Sequence, residues 1–380
     1  MDLEKRIKSN KRWAIIIGVG LALFPIHNLW LTEVTSIGSN ATLFLPAIGA
    51  VIWIMGTLLF IRNNWQNLDW GGKKILIPLI VIVVSMGISG FINGDTWGNK
   101  VTPLFFGGAL FFAYVVSRSI GEDIFLMLIP FVCLGALIAV ILGILNPGVP
   151  SGGLITNYCA SAGFLIFGAV VHQGEWQWAL IIIALIGVFF VGALEGVFIL
   201  GVLGITILAR RDFSRRFFIV VGVLVGLVGL WVALGYLTPL YEGGNNVVAL
   251  FDVIKGKLVL GEDSITTITT GRQVAIIDAI KNTNIFGHGY SLSTVGGGVV
   301  HNIPLIIYHQ IGPVAAIAWL FVTVYCLIKT RWKYAWVAVM AMCVWDHYLW
   351  TQFGALYWVL IGVSTSSTIK SDLIFRGKIN

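Results

Sequence analysis

The residues best equipped for chemistry lie in one stretch, 271–308, which reads GRQVAIIDAIKNTNIFGHGYSLSTVGGGVVHNIPLIIY and holds Arg272, His288 and His301. An imidazole titrates near neutral pH and can take a proton from a reacting hydroxyl. A guanidinium can grip phosphate oxygens in a bidentate fork. Thr269 or Thr270 can cap a short helix that residues 284–287 would stop. Val274, Ile277 and Ile280 form its apolar stripe, with Gln273, Asp278 and Lys281 off it, so the helix is expected to lie flat on protein or lipid. Arg272 falls in its first turn, where a cation gains nothing from the helix dipole. An external phosphate or pyrophosphate on the free N–H groups accounts for it. A lipid headgroup, or pairing with Glu262 or Asp263, accounts for it equally well. His301 stands at the mouth of the next apolar span, either as a general base or as a helix-terminal histidine with a structural hydrogen bond. Asn302 beside it could position a polar group, and His288, inside a glycine-rich turn, reads as structural.

The elements that must hold these groups are apolar. Hydrophobic residues make up 58% of the 380 and charged residues 11%, against about 25% charged in a soluble domain. Such a chain cannot hide its apolar surface inside a globule, so it reads as all-α and polytopic in a membrane. Spans are predicted at 13–31, 40–61, 75–92, 101–117, 124–145, 154–171, 178–193, 195–209, 217–236, 302–328, 334–350 and 353–366, about twelve in all. The first follows MDLEKRIKSNKR without a small-residue cleavage site and is expected to be a retained helix. Residues 178–209 are too long for one crossing, and GALEG at 192–196 is the expected break.

Charge supports that count. With both termini in the cytoplasm, nineteen of the 24 Lys and Arg fall inside and five outside, as the positive-inside rule requires. The net charge of +7 is then topological and argues against nucleic acid as a partner. Cys133, Cys159, Cys326 and Cys343 all sit in spans without C-x-x-C spacing, as buried small hydrophobes would. A single membrane-embedded domain, 1–380, is expected, with one large external loop, 237–301, between helices nine and ten.

Other polar groups reach the same external depth. Glu195 lies at the turn between helices seven and eight, Asp346 and His347 (in WDHYLWTQ) at the end of helix eleven, and Glu33 in the first outer loop. No Asp, Glu, Lys or Arg falls near the middle of a predicted span. Transporters more often place ionisable groups near the midplane.

Arg272, the amphipathic helix, NIFGHGY, the glycine-rich turn, His301–Asn302 and the following HQIGP together resemble the O-antigen ligase and O-antigen polymerase superfamily. The twelve-helix layout, the loop between helices nine and ten and the late WDHYLWT are similar too. The resemblance implies a metal-independent glycosyltransferase with a GT-C-like fold and no cofactor, in the bacterial cytoplasmic membrane. Such enzymes take a glycan from undecaprenyl pyrophosphate at the external face. They pass it to lipid A–core, building lipopolysaccharide, or to another lipid-linked repeat in polysaccharide biosynthesis. It implies His301 as catalytic base and Arg272 as the group binding the pyrophosphate. Asn302, Asp346, His347 and Glu195 join them as candidate substrate-binding residues. The chain departs from the family at GALEG, where many members carry an arginine and this one carries Glu195. Lys281 or a protonated His347 could supply the missing cation, or Glu195 could pair with Arg272. The rivals are a metal-dependent glycosyltransferase, which would favour a longer first outer loop than TEVTSIGS, and a transporter or flippase of lipid-linked glycans. If Arg272 grips pyrophosphate in a fork, Arg272→Ala should weaken donor use most and Arg272→Lys should restore it only in part, read as donor KM in a transfer assay.

Overall fold

The computed structural model describes residues 12–13, 15–20, 44–121, 178–184, 279–289, 303–330 and 352–366, with scattered positions in 128–137, at 168 and in 332–343. Helix makes up 87% of these residues, and no strand occurs among them. Long helices are Phe44–Asn64 (α1), Lys73–Asn93 (α2) and Trp97–Ile120 (α3). They are followed by Ile303–Ile306 (α4), whose continuation Ile307–Ile311 is wound as a π-turn, then Pro313–Lys329 (α5) and Gln352–Thr365 (α6).

The sequence KKILIPLIVIVVSMGISGFIN of α2 is dense in β-branched residues, which in water favour strands. A backbone without water must close its hydrogen bonds internally, and a helix does so within one segment. Lys73–Asn93 and Lys100–Ile120 are long and apolar enough to cross a membrane, with mean hydropathy 2.7 and 1.4 over their apolar windows. Ile77, Ile80, Val84, Ile88 and Ile92 of α2 are exposed at helical spacing, and so are Val314, Ile317, Phe321, Val324 and Ile328 of α5. Leu79, Met86, Val322 and Cys326 on these helices are buried. Helices apolar on both faces suit a lipid surround rather than water.

A short turn, 94–96, joins α2 and α3 as an antiparallel pair. α3 also packs on α6 and α1, α2 on α5, and α5 on α6, so α2, α3, α6 and α5 close a ring around the core. At Gly362 the backbone of α6 lies against Ser117, Tyr114 and Arg118 of α3, leaving no space for a side chain. Small residues at helix crossings permit this approach in apolar surroundings. The antiparallel pairing puts Lys73, Lys74 and Arg118 at one end of the bundle and Lys100 at the other.

The Arg118 end is tied by polar bonds. Arg118 Nε donates to Asp69 Oδ1 at 2.9 Å, and the backbone N–H of Gly71 donates to the same oxygen, also at 2.9 Å. The Asp69 N–H donates to Ser119 Oγ, and Ser366 Oγ donates to the Arg118 carbonyl. The loop after α1 and the ends of α3 and α6 are thereby pinned together. Cys133, Cys326 and Cys343 are buried.

One expectation needs correction. Residues 302–328 do not form one continuous helix: the run breaks at Gly312, which has φ +104° and separates the π-turn from α5. Pro313 supplies the reason, since its ring has no N–H to continue the ladder. The expected stop of the amphipathic helix is observed, with residues 279–282 helical and a turn at 285–286. The GALEG break and the span 217–236 lie outside the described residues. Overpacking the α3–α6 crossing with Gly362→Ala should cost about 1–3 kcal/mol and lower the thermal midpoint in detergent. Gly108→Ala, at a position facing open space, should leave that midpoint unchanged or raise it.

Candidate functional site

The break at Gly312–Pro313 builds the best-defined polar cluster among the described residues. In an unbroken helix the carbonyl of His309 would accept from the N–H of residue 313, which proline lacks. The Gly312 N–H turns back to the carbonyls of Ile307 and Tyr308, at 3.1 Å each, and so widens the last turn. The carbonyls of His309 and Gln310 are left facing outward from the ladder. Buried carbonyls need donors, and the segment 284–289 supplies them. The His288 N–H donates to the His309 carbonyl at 2.8 Å, and the Gly289 N–H to the Gln310 carbonyl at 3.1 Å.

α2 completes the junction from the other side. Ser89 Oγ donates to the Gln310 carbonyl and accepts from the Gly289 N–H at 3.1 Å. One turn later, Asn93 Nδ2 donates to the Ser89 carbonyl at 2.9 Å and the Gly287 carbonyl at 3.2 Å. Gly287 has φ +72°, and a side chain there would run into the Gln310 carbonyl. The segment therefore lies flush on the broken helix because a glycine stands at the crossing. Asn284 shapes the approach by accepting the Phe286 N–H on its side chain at 2.8 Å and the Gly287 N–H on its carbonyl at 3.0 Å. Ile285 and Phe286 are left exposed at the tip, as apolar residues at a membrane interface are.

Two imidazoles meet over this junction. The rings of His288 and His309 lie 4.7 Å apart between centroids, tilted by 33°. Thr283 donates its only hydroxyl hydrogen to the Ala279 carbonyl, so its oxygen can only accept from His309 Nδ1, 3.3 Å away. His309 accordingly carries a hydrogen on Nδ1. His288 Nε2 faces the Asn282 carbonyl and carries a hydrogen by the same reasoning. His309 is buried and His288 half-buried. Among the described residues no three His, Cys, Asp or Glu side chains converge as a metal would need.

No family model and no curated protein matches this chain.

His301, Arg272, Asn302, Asp346, His347 and Glu195, expected from the sequence to form the site, lie outside the described residues. The described structure reaches them only through the chain: Ile303 follows Asn302 directly, and Ala279 comes seven residues after Arg272. The sequence reading did not single out Ser89, Asn93 or Thr283, and took His309 and Gln310 only as part of HQIGP. A signal for them existed, since Ser89 and Asn93 stand four apart near the end of an apolar span, and Gly312–Pro313 interrupts another. Removing the Ser89 hydroxyl by Ser89→Ala strips one donor from Gln310 and one acceptor from Gly289. Hydrogen exchange at the Gly289 amide should then quicken by about tenfold, matching a loss near 1.4 kcal/mol.

Proposed function

We propose that this chain is a multi-pass membrane glycosyltransferase of the O-antigen ligase or polymerase type. It would have about twelve spans, both termini in the cytoplasm and the loop 237–301 on the external face. Its donor is a glycan on undecaprenyl pyrophosphate, and its acceptor is lipid A–core or another lipid-linked repeat. The observation that carries the reading is the ordered series Arg272, NIFGHGY, His301–Asn302 and HQIGP. Two structural findings support it. NIFGHG is docked on HQIGP through paired backbone bonds, and Lys73, Lys74 and Arg118 share the end of the bundle opposite to that junction, as a cytoplasmic end would.

Chemically, His301 takes the proton of the acceptor hydroxyl, whose oxygen then attacks the anomeric carbon of the donor sugar. The bond from that carbon to the pyrophosphate oxygen breaks, and undecaprenyl pyrophosphate leaves with the electron pair. Arg272 neutralises the charge that develops on it. Asn302 orients the acceptor, and Asp346, His347 and Glu195 line the sugar-binding surroundings. Neither role calls for a metal, so transfer should proceed undiminished in EDTA, whereas inhibition by EDTA would favour a metal-dependent glycosyltransferase.

One observation favours a second reading. A helix broken at a glycine–proline step is also what transporters use to form midplane sites, so a flippase of lipid-linked glycans is the alternative. In proteoliposomes with a purified donor and acceptor, His301→Ala should lower the transfer rate by about 10²–10⁴-fold, the usual share of a general base. Full activity of a correctly inserted His301→Ala protein would remove the proposed base.

A further inference from the structure

The Thr283–His309 bond joins two parts of the chain that the proposed reaction must hold together. Residues 279–282 are the helical end of the segment that carries Arg272 upstream, and His309 lies on the helix that starts immediately after His301–Asn302. Their contact is specific in its chemistry. Thr283 has spent its hydrogen on Ala279, so the bond forms only with His309 donating through Nδ1. The His288 ring lies tilted against His309 while the His288 N–H bonds the His309 carbonyl, so one residue is gripped by side chain and backbone at once. His309 is buried and Thr283 half-buried, and a polar contact shielded in this way favours one low-energy geometry.

We propose that His309 is a positioning residue for the transfer reaction. By donating to Thr283 and lying against the His288 ring, it fixes residues 279–289 against the broken helix 303–311, and so supports donor binding by the segment that continues upstream to Arg272. This rests on the glycosyltransferase reading. His309 acts through other residues and touches no reacting atom. Its loss therefore loosens the donor's grip more than it slows the chemistry.

The test uses the full-length protein in proteoliposomes with an undecaprenyl pyrophosphate-linked glycan, and compares His309→Ala, His309→Asn, His309→Gln and Thr283→Val. Asparagine places an N–H close to the position of Nδ1, whereas glutamine carries its donor one bond further out. Losing one buried hydrogen bond is worth about a factor of ten, so His309→Ala and Thr283→Val should raise donor KM by about tenfold while kcat changes less than about threefold. His309→Asn should recover most of that loss and His309→Gln little of it. Hydrogen exchange of residues 283–289 should quicken in the same order, a readout that needs no turnover. Unchanged donor KM in both His309→Ala and Thr283→Val would overturn the proposal, and so would a fall in kcat at constant KM. A wild-type protein that transfers no glycan would overturn the enzymatic reading and this role with it. Exchange would in that case still report whether the Thr283–His309 bond holds the segment.

Discussion

Two backbone carbonyls, those of His309 and Gln310, organise the end of the bundle opposite to Arg118. They lose their helical partners because Pro313 has no N–H and Gly312 turns the chain away at φ +104°. Within an apolar surround an unmet carbonyl costs several kcal/mol, so the break can persist only where other donors reach it. His288, Gly289 and Ser89 are those donors. The docking of 283–289 on the broken helix and the contact of α2 with both follow from that single need.

The two ends of the bundle solve related problems differently. At the Arg118 end a charged pair and Ser119 pin the loop after α1, and Ser366 ties the end of α6 to α3. At the other end neutral backbone groups and amides do the joining, and the histidines take up orientation rather than charge pairing. Between the ends, some polar side chains pair across neighbouring helices. Thr323 donates to the Trp319 carbonyl and accepts from the Tyr357 hydroxyl at 2.6 Å, while Trp336 Nε1 donates to Ser364. A bundle fixed at both ends leaves its middle to packing. Trp319 stacks on Tyr357 there, and Trp336 meets the same ring edge-on.

Among the described residues, the all-helical framework was legible in the sequence because hydropathy alone dictates it. The expected spans 75–92 and 101–117 fall inside Lys73–Asn93 and Trp97–Ile120. The stop at 284–287 was legible too, since Asn284 and Gly287 have a turn chemistry of their own. The break at Gly312 was missed because apolar runs flank YHQIGP closely on both sides and hide the short polar dip, and only the proline marks the lost N–H. Ser89 and Asn93 were missed because a single hydroxyl or amide in an apolar span gives no periodic signal. Their importance comes from a partner more than 190 residues away. For the catalytic candidates the sequence remains the argument, because His301, Arg272, Asn302, Asp346, His347 and Glu195 lie outside the described residues.

The structure gives the proposed chemistry a frame: the Arg272-bearing segment is tethered at its far end, and the helix that follows His301 is broken three turns on and clasped to it. A glycosyltransferase and a flippase of the same donor differ in one bond. The most direct measurement is therefore the release of undecaprenyl pyrophosphate by purified protein in proteoliposomes given lipid-linked donor and an acceptor, followed together with product glycan. The account predicts one pyrophosphate carrier released for each glycosidic bond formed, with EDTA present. Donor that crosses the bilayer intact, with no carrier released, would contradict it.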